Sequence, residues 1–447
     1  MAIVDKIRDA GIVGCGGAGF PTHVKYGGRI EYLIVNGAEC EPLLRTDRYI
    51  MLNHAPELVR ALAALKSELN IPHCVIALKH HYAREITSLR KAIAAAGADI
   101  AIHEMESFYP AGDEQTIVYE VTGRVVPPAA IPMAVGTVVN NVATIYAISQ
   151  AMDGIPFTRK FLTVTGEVRK PTILCVPVGT SYATCLALAG GPVHKEYFIV
   201  NGGPMMGKPM TMEEAANAVV TKTTSGILVL PRDGYHARTS QVDMKRMLNQ
   251  ARSACIQCTA CSQLCPRHML GHPLQPHRIM RKMAMGGNVE QLLNDPDIRN
   301  AQLCCECGIC ETYACPMGLF PRKINAMLKG ELGKAGIRYK AEEKEWTASP
   351  LRENRKAPSE RTAARVGVQK YYDYEITNLI TAQPDQVELP LRMHIGAPAV
   401  PTVTVGDRVR EGDRIAVPPQ GSLGAVIHAS ISGRVTQVGQ RIVIEKE

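Results

Sequence analysis

Residues 255–266 read CIQCTACSQLCP, and residues 304–316 read CCECGICETYACP. Together they hold nine of the chain's fourteen cysteines. In each segment three cysteines stand two residues apart, and a fourth follows beside a proline. Cysteines at this spacing wrap one loop round a metal cube. The fourth points away, so each run lends its last thiolate to the other run's cluster. That assigns Cys255, Cys258, Cys261 and Cys315 to one [4Fe-4S] cluster, and Cys304, Cys307, Cys310 and Cys265 to a second. Two structural zinc sites are the competing reading, since two sets of four thiolates fill two tetrahedra. Zinc modules pair their cysteines, however, and do not need a third at this spacing followed by Cys-Pro. The second run has four residues before its last cysteine where the reference run has three, a departure confined to one loop. Cys305 is expected to be a non-ligand, because choosing it over Cys304 breaks the spacing.

The chain around these segments is long enough for several domains, at 447 residues. An apolar content of 46% implies folded cores. No run of 18 apolar residues is present, so no transmembrane segment is expected. The first residues carry Asp5, Lys6, Arg8 and Asp9 and lack the apolar stretch of a secretory signal. Clustered cysteines without such a signal point to a reducing, cytoplasmic setting and to metal thiolates, not disulfides. The net charge of +8 is mild, and no basic face sits on a recognisable nucleic-acid module, so no nucleic-acid partner is expected. A basic patch, His277, Arg278, Arg281 and Lys282, lies between the two cysteine runs. It reads as a solvated helix face, with a docking site for an acidic redox partner as the alternative.

Towards the N-terminus, residues 31–36 (EYLIVN), 74–78 (CVIAL), 99–102 (DIAI) and 137–140 (TVVN) read as strands. Residues 56–69, 82–96 and 142–152 read as helices, the middle one stopped by Gly97. Alternating strands and helices imply a largely parallel, covered sheet whose ligands sit at the carboxyl ends of the strands. A glycine loop, GCGGAGFPT at 14–22, matches G-x-G-x-x-G. No convincing strand precedes it and Pro21 soon follows, so the ordinary dinucleotide fingerprint fails its context. Its glycines still allow the backbone to approach a phosphate or a ring closely. Three further polar segments follow strand ends: NGAECEP at 36–42, YPAGDE at 109–114 and NNVAT at 140–144.

These four segments, with Lys25, resemble the FMN- and NADH-binding subunit of respiratory NADH dehydrogenase, and still more the RnfC-type subunit of ferredoxin–NAD oxidoreductases. The resemblance implies that Gly14, Gly16, Gly17, Gly19, Lys25, Asn36, Glu39, Gly112, Asp113, Asn140, Asn141 and Thr144 line FMN. It implies that Phe20, Glu41 and Glu114 face NADH. The chain departs from the respiratory pattern at Cys15, Ala38 and Cys40, where Arg, Asp and Ser are usual.

Beyond residue 160 the texture changes. Residues 161–168 and 173–178 read as a hairpin, 182–188 as a helix, and 197–200 and 227–230 as strands. This resembles the β-grasp (SLBB) domain of the same families, followed by an RnfC-like segment, NGGPMMG at 201–207. Helices at 243–252, 277–285 and 321–332 flank the cysteine runs. The last sixty residues are short apolar pairs separated by turn glycines. They resemble the barrel-sandwich hybrid of lipoyl and biotinyl carriers, without a lysine at the tip 430–433. A swinging arm is therefore not expected, and a packing or docking domain is. RnfC-type proteins carry a similar module ahead of the flavin domain, whereas here it follows the clusters.

The expected fold is thus multidomain α/β: a Rossmann-like FMN/NADH domain (1–155), a β-grasp domain (156–235), a helical ferredoxin-like domain with two clusters (243–332), a linker (333–385) and a barrel-sandwich hybrid (386–447). The permuted order resembles the cobalamin reductases of propanediol-utilisation microcompartments (PduS type). That resemblance implies an enzyme carrying electrons from NADH through FMN and the two clusters to cobalamin. Cobalt would go from Co(III) to Co(II) to Co(I). It also implies a cobalamin adenosyltransferase and microcompartment shell or cargo proteins as partners, in a cytoplasmic microcompartment. FMN stands between a two-electron donor and one-electron clusters because it can do both. An RnfC-like subunit of a membrane complex and an iron–sulfur interaction protein with a vestigial nucleotide fold are the alternatives.

Overall fold

The computed structural model describes residues 1–286, 289–342 and 344–447. The chain forms a multidomain α/β protein. Its first unit is built on four parallel strands in the order Ala101–Met105, His73–Lys79, Tyr32–Asn36 and Thr137–Asn141. Strands covered on both faces need apolar side chains pointing both ways. Leu33, Val35, Ile76 and Val138 face one core, with the helices Ala55–Glu68, Ala83–Ala96 and Val142–Met152. Ile34, Ala77 and Val139 face the other, with Ile117 and Val118 of the helix Glu114–Thr122. Ala83–Ala96 stops at Gly97, whose left-handed φ of 57° closes the helix as its position foretold. Three α-helices of this unit have no counterpart in the expected pattern, Ile3–Asp9 among them. Thr46–Asn53 is short and rich in polar residues, and Glu114–Thr122 follows directly on a segment read as a loop.

The second unit is a mixed six-stranded sheet. Arg159–Gly166 and Thr172–Pro177 form the expected hairpin, and Gly226–Pro231 adds in parallel to the first of them. Tyr197–Asn201 and Lys208–Met210 complete that side. The helix Tyr182–Leu188, capped by Ser181, covers a core of Leu162, Val164, Leu174, Val176, Ile227 and Val229. At the other edge lies Leu379–Thr381, from the stretch expected to be a linker. Residues 333–385 in fact tie units together. Ala357–Pro358 pairs with Phe108–Tyr109 of the first unit, and the helix Ser359–Arg365 follows. Strands of two or three residues inside a charged stretch carry no readable period.

Three helices, Met244–Ala254, Pro276–Met285 and Pro321–Lys334, surround the cysteine loops over a core that includes Ala251, Ile279, Met280, Met283, Ile324 and Leu328. The C-terminal unit packs two small sheets face to face around Val387, Leu389, Ile415, Ile427, Val435 and Ile444. Its tip at 430–433 is no free hairpin. Ser430 is fully buried and its hydroxyl donates to the Val178 carbonyl of the second unit at 2.5 Å.

One buried lysine joins three units. Lys222, 1% exposed, donates to the carbonyls of Gly11 and Val426, both at 2.7 Å. Burial lowers its pKa to about 7. Among the described residues no helix is long and apolar enough to cross a membrane.

Candidate redox centre

The polar strand ends meet where a parallel sheet places its ligands. Asn36 and Asn141 are register partners at the carboxyl ends of adjacent strands. The Asn36 amide donates to the Gly112 carbonyl at 2.8 Å and accepts from the Ala38 amide. Asn141 caps the helix Val142–Met152 by accepting from Ala143, and its Nδ2 donates to Asp47 at 2.7 Å. Between them opens a cleft of about 210 Å³, whose walls include Gly16, Asn36, Glu39, Glu41, Gly112, Asp113 and Asn141. A Cβ on Gly16 would stand 2.9 Å from the Asn141 side chain, and one on Gly112 would stand 2.9 Å from Cys40 Cβ. Any larger residue would fill the cradle, so the donors and the glycine backbone present fit a planar ring with a phosphate tail.

Gly14, Gly17, Gly19, Phe20, Lys25, Glu114, Asn140 and Thr144 do not line this cleft, and Asp113 and Glu41 line it with their carboxylates bonded elsewhere. The glycine loop is a narrow hairpin, bridged from Val13 to Pro21, with the Gly14 amide donating to the Phe20 carbonyl. Gly16 and Gly17 at its tip are exposed. Gly19, at φ +77°, packs against the backbone of Met393 and His394 in the C-terminal unit. Thr144 accepts from the Cys15 amide at 3.0 Å, and Asn140 donates to the Tyr26 hydroxyl at 2.6 Å. Lys25 donates to Glu114 and to the Val139 carbonyl, each at 2.8 Å. Asp113 turns its carboxylate to Arg267, which holds it in a two-pronged ion pair at 2.5 and 2.8 Å. Glu41 accepts from the amides of Met205 and Met206, both at 2.8 Å.

Residues outside the expected flavin and nucleotide set complete the cleft. Asp47, Tyr109, Lys160 and Phe161 line it, with the thiols Cys15, Cys40, Cys305 and Cys307. Lys160 and Phe161 belong to the second unit, so no local pattern in the first points to them. Burial is the largest influence on the acids here. It raises Glu39, and it raises Asp47 to about 7, with the Glu39 charge adding to the effect. Glu41 is likewise pushed up to about 7 by burial. Near neutral pH the cleft therefore sheds part of its negative charge, which lowers the cost of admitting an anion.

The cysteine loops are wound alike. Gln257 and Thr259 take left-handed φ of 55° and 63°, and Glu306 and Gly308 take 58° and 83°. These positions fall two and four residues after Cys255 and after Cys304. Cys304 is thus the counterpart of Cys255, and Cys305 that of Ile256. Such turns aim amides inward. The Glu306 amide donates to Cys304 Sγ at 3.4 Å, and the Leu319 amide to Cys315 Sγ at 3.4 Å. Cys255, Cys258, Cys261 and Cys315 surround one small void. Cys265, Cys304, Cys307 and Cys310 neighbour one another in a second cage, where burial, then the Glu311 charge and the nearby sulfurs, raise the Cys310 thiol. Metal binding requires thiolates, which a bound cation stabilises, and the two donor sets suit cubic iron–sulfur clusters.

The two cages differ in depth. Cys265, Cys307 and Cys310 are buried, whereas Cys258 is exposed, beside Ile256 at 61% and Met317 at 44% exposure. The inner cage adjoins the cleft, because Cys305 and Cys307 line it and the Tyr109 hydroxyl donates to the Cys307 carbonyl at 2.6 Å. The basic patch is largely neutralised within the chain. Lys282 pairs with Asp295 and Asp297, and Arg278 lies 3.6 Å from Asp297.

Comparison with known proteins follows the same order of units. Residues 7–150 match the Nuo51 FMN-binding domain and 161–209 the SLBB domain. Residues 254–320 match a 4Fe-4S dicluster domain, and 370–447 the RnfC barrel sandwich hybrid domain. Cobalamin reductase PduS of Salmonella typhimurium is 41% identical over 444 residues, covering 99% of this chain and 95% of that protein. The protein of the same name from Citrobacter freundii is 40% identical over 449 residues, covering 99% and 96%. One component of the Na(+)-translocating ferredoxin:NAD(+) oxidoreductase complex of Acetobacterium woodii is 32% identical over 276 residues, 60% of this chain and 58% of that one. Flavin cleft, twin cysteine cages and full-length likeness agree: the chain is an oxidoreductase that belongs to the family of the PduS cobalamin reductases, within the wider group of RnfC and NADH dehydrogenase flavoprotein subunits.

Proposed function

We propose that this chain carries electrons from NADH to cobalamin, taking Co(III) to Co(II) and on to Co(I). The observation that supports this most directly is the shared wall between cleft and inner cage, where Tyr109 of the flavin-binding unit bonds to the backbone of Cys307. When bound, FMN accepts a hydride and releases electrons singly, and the two [4Fe-4S] clusters carry them one at a time.

The chain supplies binding, spacing and electrostatics. Gly16, Asn36, Glu39, Gly112 and Asn141 face the flavin. Gly14, Gly17, Gly19, Lys25, Asn140 and Thr144 fix the loop and strand ends around it, and Asp113 clamps the flavin-binding unit to the cysteine loops through Arg267. Phe20, Glu41 and Glu114 border the nicotinamide nucleotide. Cys304, Cys307, Cys310 and Cys265 hold the inner cluster. Cys255, Cys258, Cys261 and Cys315 hold the outer one. Cys258, between the exposed Ile256 and Met317, would give the outer cluster its solvent-facing side, the side open to a cobalt acceptor.

Reduction of Co(II) by NADH is uphill in water, and removal of Co(I) at once draws it forward. A cobalamin adenosyltransferase that captures Co(I) as a cobalt–carbon bond is therefore the fitting partner, in the setting of propanediol degradation inside a cytoplasmic microcompartment. The relatives in ferredoxin-linked complexes share only about three fifths of this chain, which favours the cobalamin reading over an RnfC-like role. The test is anaerobic reduction of cobalamin by NADH, followed spectroscopically. The wild type with NADH alone is expected to stop mainly at Co(II), and adding adenosyltransferase and ATP is expected to yield adenosylcobalamin. Cys307→Ser is expected to keep flavin reduction and lose cobalt reduction. Cobalt reduction by that variant at the wild-type rate would refute the route through the cages.

A further inference from the structure

Lys160 is the second residue of the strand Arg159–Gly166 and is 2% exposed. It lines the flavin cleft with Cys15, Gly16, Asp47 and Asn141. It also borders a more apolar chamber formed with Tyr146, Phe157 and Phe161, so it stands where the two spaces adjoin.

An ammonium group has three N–H donors. Lys160 Nζ has one protein acceptor, the Cys15 carbonyl, at a long 3.4 Å, and it forms no ion pair among the described residues. Lys222 and Lys25 are better served, whereas the buried Lys79 has only the Ser359 hydroxyl among the described residues, at 3.4 Å, and does not line the cleft. Lys222 has two carbonyls at 2.7 Å, and Lys25 has a carboxylate and a carbonyl at 2.8 Å. Asp47 is near enough to feel the Lys160 charge, but its carboxylate accepts from Asn141. A buried cation without a counter-ion is costly, by several kcal/mol. The cleft it lines also presents the exposed Gly16 backbone and the first turn of the helix Val142–Met152, where amides and dipole favour negative charge, opposite the acids Glu39 and Asp47, which burial pushes up. Lys25 is already committed to Glu114.

We infer that Lys160, supplied by the second unit, binds a phosphate group of the nucleotide held in this cleft. The inference rests on the flavin and nucleotide reading proposed above. The phosphate is either the monoester of the flavin or the pyrophosphate of the dinucleotide.

The test compares wild type, Lys160→Gln and Lys160→Arg as flavin-depleted proteins that retain their iron. Each is titrated with FMN, with riboflavin and, after flavin loading, with NADH. Loss of a charge-assisted hydrogen bond is expected to weaken FMN binding to Lys160→Gln roughly ten- to a hundredfold, with riboflavin binding unchanged and Lys160→Arg close to wild type. A loss of NADH affinity with the wild-type preference for FMN over riboflavin assigns the phosphate to the dinucleotide instead. If all three ligands bind Lys160→Gln as they bind wild type, or if FMN and riboflavin weaken equally, the inference is overturned. A wild-type protein that binds no FMN would instead overturn the flavin reading on which it rests.

Discussion

Replacing Arg267 by methionine is expected to loosen the contact between the flavin-binding unit and the cysteine loops without emptying either. The Arg267 and Asp113 side chains are only 10% and 12% exposed, so little solvent remains to accommodate a lone charge. Asp113 would keep its bonds from the Thr116 amide and hydroxyl, at 3.1 and 3.2 Å, but lose both bonds to the guanidinium. Breaking a buried ion pair from one side costs about 3–5 kcal/mol, which is roughly two to three and a half decades in a local opening constant. Amide hydrogen exchange across 265–272 and at Thr116 reads that opening directly. In Arg267→Met it is expected to accelerate by that factor at pH 7. The double variant Arg267→Met with Asp113→Asn is expected to exchange within about tenfold of wild type, because Asn removes the charge and still caps the helix.

The pH response adds a second check. Burial alone would raise Asp113, but Arg267 outweighs it and holds the carboxyl below its ordinary 3.8. In wild type the contribution is therefore present above about that pH and fades only as pH falls through the lower folded value. Without Arg267 burial, the largest influence, is opposed only by the two Thr116 bonds, so the folded value rises and the weakening of the contact towards acid diminishes. A single variant that exchanges like wild type at neutral pH, or that weakens towards acid as strongly as wild type, refutes this account of the clamp.

Anaerobically purified protein is expected to carry about eight irons per chain, two cubic clusters' worth; Cys305→Ser should keep them and Cys258→Ser lose a cluster, and equal losses in both would contradict the loop correspondence. Acid precipitation should release all the flavin, and Asn141→Ala should purify brown but flavin-poor; flavin retained by that variant would place the site elsewhere. For Lys222 the folded pKa of about 7 lies below the ordinary 10.5, so the unfolded chain binds the extra proton between these values and stability rises with pH across that window. Lys222→Met should flatten that rise in melting temperature and leave the Gly11 and Val426 carbonyls unpaired, at about 1–3 kcal/mol each; identical slopes in both proteins would count against it.

Where the sequence was legible, the information was local. The strand at 31–36, the helices at 142–152 and 182–188 and the hairpin at 161–178 follow from period, caps and turn residues. So do the cysteine groupings, because spacing within a loop governs which thiols converge. The rest depended on distance through space. Asp113 is polar and follows a strand, yet its partner is Arg267, 154 residues away. Lys160 reads as an ordinary charged residue at the start of a strand until that strand is laid beside the glycine loop. Thr46–Asn53 escaped notice because its apolar residues form one continuous run, Tyr49 to Leu52, without helical spacing, and its place is fixed by Glu39, which accepts from the amides of Asp47 and Arg48. The strand Leu379–Thr381 exists only because Thr172–Pro177 offers it an edge.

The ammonium of Lys222 fastens three surfaces that lie far apart along the polypeptide. A module anchored in this manner is located by what it touches and owes little to which neighbour it is spliced to. The C-terminal sandwich could then be encoded at either end of a gene and still bring its Val426 carbonyl to the same ammonium, provided its connecting segment is long enough. Such tolerance turns domain order into a neutral character, free to differ between lineages while the machine it helps to assemble stays the same.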